Sequence, residues 1–134
     1  MNKNNNIDIY KTIYDLDLAV CRKNYKIKNI INTYERLNGD PLDEKLFDDS
    51  TAFTFACRNK ETKVYTIVVA INKTKGKTRQ DKNADLTNSI SHEAAHVVLE
   101  TYAKIMDNVS VDHQEPFAYY LGWVAECIYK TYNK

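Results

Sequence analysis

Between Ile90 and Ile105, the residues Ile90, Ala94, Val97, Val98, Thr101 and Ile105 recur at a spacing that places them on one face only in an α-helix. The stripe predicts a helix over about Asp85 to Met106 that must bury one side. A second stripe, Phe117, Leu121, Val124, Ala125 and Ile128, predicts a helix over about Glu115 to Tyr129, with Pro116 in its first turn. Two amphipathic helices in succession need a shared apolar surface to cover.

That surface is written upstream. Ala52 to Cys57 and Lys63 to Ile71 are rich in β-branched and aromatic residues. The polar segment Arg58 to Thr62 between them predicts an antiparallel hairpin. Ile13 to Val20 reads as a further strand within the β-rich stretch Ile7 to Cys21. Lys26 to Leu37 has Ile27, Ile30, Ile31, Tyr34 and Leu37 at helical spacing, with Asn38 and Gly39 as its stop signal. Asp40 to Ser50 holds five acids and one proline and reads as an exposed loop. Asn72 to Asn83 reads as a polar loop with five basic residues. The order strand, helix, two strands, two helices predicts a small α+β domain over residues 1–134, with residues 1–6 frayed. Its sheet should be mainly antiparallel, with the helices on one face.

Composition narrows the function. A chain of 134 residues can bury a core without disulfide or metal staples. The formal net charge of +1 gives no reason to expect a nucleic-acid or anionic-membrane partner. Cys21, Cys57 and Cys127 are odd in number, widely spaced and without a CxxC, so reduced, buried thiols are expected. The N-terminal residues lack the apolar run of a signal peptide, and the longest aliphatic run, Ile67 to Ile71, is too short for a membrane span. A cytoplasmic protein is expected.

The segment that carries chemistry is Ser91-His92-Glu93-Ala94-Ala95-His96. Four helical residues turn through about 400°, so His92 and His96 project from one side, away from the apolar stripe. Two imidazole nitrogens one turn apart suit a zinc ion. Glu93 lies about 100° round the helix from His92, where its carboxylate can act as a general base toward water rather than as a ligand. The competing reading is a pair of histidines with no metal. A catalytic zinc site normally takes a third protein ligand. Glu115, at the start of the next helix, is the first choice and His113 the second. Glu115 also stands in capping-box spacing with Asp112, so helix capping is its alternative role.

At these residues the chain resembles the gluzincins, zinc peptidases with an HExxH helix and a glutamate on a following helix. The segment Glu115-Pro116-Phe117-Ala118-Tyr119-Tyr120-Leu121-Gly122-Trp123 also resembles one in small HExxH proteins of phages and prophages. The resemblance implies a zincin-like fold, zinc held by His92, His96 and Glu115, and Glu93 as catalytic carboxylate. It implies a peptide or protein substrate pairing with an edge strand, Lys63 to Ile71, before the active helix. A phage-encoded chain would work in the host cytoplasm. The oxyanion-stabilising residue of larger gluzincins has no assured counterpart; Tyr119 and His113 are the leading candidates, with Tyr102 and Tyr120 beside them. Gly122 is read either as allowing close helix packing or as a tolerated helix glycine.

Overall fold

The computed structural model describes residues 6–47 and 50–134. It is an α+β fold with a five-stranded, mostly antiparallel sheet and three α-helices. The strands are β1 (Ile7–Lys11), β2 (Asp17–Cys21), β3 (Tyr34–Glu35), β4 (Ala52–Asn59) and β5 (Tyr65–Ile71), in spatial order β1-β2-β5-β4-β3. The β2–β5 pair is parallel and the other pairs are antiparallel. The helices are α1 (Ile27–Thr33), α2 (Arg79–Lys104) and α3 (Gln114–Tyr132).

Alternation along the strands sorts the side chains onto two faces. Leu18, Val20, Ile67, Val69 and Ile71 meet Ala94, Val97, Val98, Val124 and Ile128 of α2 and α3 in one core. Ala19, Cys21, Val68 and Ala70 meet Ile30 of α1, Leu42 and Phe47 on the other face. The sheet is therefore covered on both sides, where helices on one face alone were expected. The apolar content of both alternating sets on β2 and β5 is the reason, since each set needs its own cover.

Several expected boundaries move. The single strand over Ile13 to Val20 is replaced by a β1–β2 hairpin whose turn uses Asp15 at φ 57°. The Thr12 hydroxyl donates to the Leu16 carbonyl and accepts from the Tyr14 amide, which closes that turn. The helix expected to reach Leu37 ends at Thr33, because Tyr34 and Glu35 enter the sheet against Asn59 and Arg58. There Glu35 is clamped by Arg58 and Lys63. The stretch read as an exposed loop contains a 3-10 turn, Glu44–Phe47, and buries Leu42 and Phe47; Asp48 and Asp49 lie outside the described residues. α2 begins at Arg79, six residues before its expected start, because the Thr78 side chain accepts from the Asp81 amide as an N-cap. The β4–β5 hairpin forms as expected, over Ala52↔Ile71 to Arg58↔Tyr65.

β5 is not the edge strand that the sequence suggested. It lies in the middle, between β2 and β4, because β2 joins it in parallel through a crossover that no local pattern announces. β3 pairs with β4 only at Asn59 and Arg58. Among the described residues, no strand covers the outer side of β4 from Ala52 to Cys57.

Candidate metal centre

α2 lies across β4 and β5, with α3 antiparallel beside it over β2. The buried stripe of α2 turns His92 and His96 to the opposite, exposed side. Their Nε2 atoms are 3.1 Å apart and their rings are inclined at 74°. Two ligands on a tetrahedral zinc at about 2.0–2.1 Å stand about 3.3 Å from each other. The pair thus has the bite of a chelate, and its donors are the type that zinc accepts.

Glu93 departs from the pattern of an exposed helix residue. It is 5% exposed. Its Oε1 accepts a 2.7 Å hydrogen bond from the Thr54 hydroxyl of β4, and its Oε2 lies 3.8 Å from His92 Nε2. One oxygen is anchored to the sheet and the other is presented at the histidine pair. Thr54 reaches it because alternation on β4 sends Thr54 and Ala56 toward α2 while Phe53 and Phe55 face α1. Sequence reading passed over Thr54; a hydroxyl amid apolar and aromatic strand neighbours was the available signal.

The expected third ligand is not brought to this group. Glu115 and His113 are exposed at the α2–α3 turn. α2 runs eight residues beyond His96 before it ends. Among the described residues, no group of three His, Cys, Asp or Glu side chains is gathered to hold a metal ion. The Asp112–Glu115 capping box is also absent from the described hydrogen bonds: His113 is the N-cap of α3 without a side-chain bond, and Ser110 caps the preceding 3-10 turn.

The tyrosine candidates face elsewhere. Tyr119 is 76% exposed and lines a cleft with Tyr14, Pro116 and Trp123, on the side of the β1–β2 turn. Tyr102 is buried against Tyr14 and Phe117, and the Tyr120 hydroxyl bonds to Thr101. Gly122 does not serve close packing, since a Cβ added there meets nothing within 4 Å.

Comparison with family models, curated proteins and solved structures gives no match. Among the described residues, no helix is long and apolar enough to cross a membrane.

Proposed function

We infer that this chain is a zinc-dependent, peptidase-like protein with a gluzincin-type HExxH centre. The observation that carries the reading is the 3.1 Å separation of the two histidine Nε2 atoms, with the anchored Glu93 carboxylate beside them. His92 and His96 are the proposed metal ligands, and Glu115 the proposed third ligand on the strength of the resemblance. Zinc, when bound, supplies a Lewis acid for the scissile carbonyl and acidifies water toward neutral pH.

The chain's own residues do the rest. Thr54 holds Glu93 Oε1, which leaves Oε2 to accept the proton of the attacking water and return it to the leaving amine. The uncovered outer side of β4, from Ala52 to Cys57, offers backbone groups to an extended peptide next to Glu93. A peptide or protein partner in the cytoplasm fits this surface and the near-neutral net charge.

That no third His, Cys, Asp or Glu is gathered with the pair among the described residues favours a second reading, in which the histidine pair binds zinc in a non-catalytic interaction protein, such as a phage accessory factor. Glu93→Gln separates the two readings. On the peptidase reading it keeps its metal and loses about 10²–10⁴-fold in peptide hydrolysis. Cleavage as fast as wild type would overturn the proposed role of Glu93. Full zinc retention with no cleavage of any peptide by the wild-type chain would favour the interaction protein.

A further inference from the structure

The second face of the sheet is sealed at one end and open at the other. α1, Leu42 and Phe47 cover Cys21, Val68 and Ala70. Beyond them the registers Lys11↔Asp17 and Asp17↔Thr66 set three polar side chains side by side across β1, β2 and β5. The end of α1 and the β4–β5 turn stand over this end of the sheet. Between them lies a crevice of about 750 Å³, lined by Ile9, Asp17, Tyr34, Thr62, Thr66 and their neighbours.

Its polar groups are unevenly satisfied. Tyr34 is 3% exposed, yet its hydroxyl forms no hydrogen bond with any described residue. Asp17 is mostly buried and uses only Oδ2, toward the Lys11 ammonium at 2.9 Å; Oδ1 forms no hydrogen bond with any described residue. No fully buried side-chain oxygen or nitrogen among the described residues lacks a partner, so these two oxygens are open to the crevice. The Thr66 hydroxyl donates to the Val64 carbonyl, so what it offers a ligand is a lone pair. The Asp17 end of the crevice thus offers acceptors from Asp17, Tyr34 and Thr66. Of the three cations that line the crevice, Arg22 and Lys134 are both held by Asp8 further along β1, and Lys11 alone engages Asp17; its side chain is 77% exposed, and such a pair is weak and displaceable. Burial, with the neighbouring Cys57, Cys21 and Asp17, pushes the Tyr34 hydroxyl's pKa up, which keeps it neutral. Ile7 and Ile9 supply an apolar strip for an alkyl stem.

We propose that this crevice binds an organic cation, an ammonium or guanidinium on an alkyl chain, between Asp17 and Tyr34 in place of Lys11. The site lies on the sheet face opposite α2 and is independent of the histidine pair. Two sources share this chemistry: a free alkyl amine, and a lysine or arginine side chain of a peptide.

Amide chemical shifts of the whole chain, titrated with 1,5-diaminopentane, agmatine and a blocked lysine-containing tetrapeptide, test the proposal. The expected result is saturable movement of Asp17, Tyr34 and Thr66 signals, unchanged in a His92→Ala/His96→Ala variant. Asp17→Asn should weaken binding by at least about tenfold. Lys11→Ala, an exposed substitution that spares the fold, should tighten it several-fold by removing the resident competitor. Saturation by the peptide alone assigns the cation to a protein side chain, and saturation by all three probes assigns it to the alkyl cation itself; both support the site. No saturation by any probe, showing water as the sole occupant, would overturn it. So would unchanged affinity in Lys11→Ala.

Discussion

Thr54 and Glu93, thirty-nine residues apart in the chain, are joined by a 2.7 Å hydrogen bond from the β4 hydroxyl to the α2 carboxylate. A carboxylate this buried needs such a donor, because an unsatisfied buried acceptor costs about 1–3 kcal/mol. Thr54→Val keeps the shape and removes the donor, so chemical denaturation should show a loss of about 1–3 kcal/mol. Thr54→Ser should recover most of it. Equal stability of the Val variant and wild type would show that Glu93 finds its partner elsewhere.

Gly122 sits within α3, and a Cβ added there meets open space. Glycine in a helix interior costs about 0.5–1 kcal/mol relative to alanine. Gly122→Ala should therefore stabilise the protein by about that amount and raise its thermal midpoint by a few degrees. A fall in the midpoint would mean that the α2–α3 groove has to accommodate something at this position.

Asp8 ties β1 to the end of α3. Its carboxylate accepts from Arg22, Thr131 and Lys134. Burial alone would raise its pKa, but these bonds together outweigh burial and hold it below the ordinary 3.8. A depressed carboxylate contributes stability that is complete above the unfolded pKa and disappears as pH falls through the folded one. Denaturation measured from pH 6 downward should show this contribution being lost below about pH 4, and Asp8→Asn should remove that part of the pH dependence. An Asn variant with the wild-type acid profile would contradict it.

The sequence made some of this legible and hid the rest for identifiable reasons. The β4–β5 hairpin was readable because two β-branched runs flank a short polar turn, a local signal. The histidine pair was readable because helical spacing alone fixes which side both rings leave from. The central position of β5 was not, since it depends on a parallel pairing with β2 more than forty residues away. α1 stops at Thr33 because the sheet claims Tyr34 and Glu35, a tertiary demand that overrides helical periodicity. The Thr78–Asp81 cap was present in the sequence, but the run of lysines around it read as loop. Glu115 was chosen because it opens the helix that follows the histidines, and that place in the sequence carries no information on how far α2 runs before it turns.

The metal centre at His92 and His96 stands or falls on zinc stoichiometry. Protein purified without an affinity tag, loaded with zinc and dialysed, should hold about one ion per chain. His92→Ala and His96→Ala should each abolish retention while the circular dichroism spectrum stays unchanged, and Glu115→Ala should weaken it if that glutamate closes the site. Retention well below one ion per chain, or retention unaffected by loss of both histidines, would contradict the metal centre.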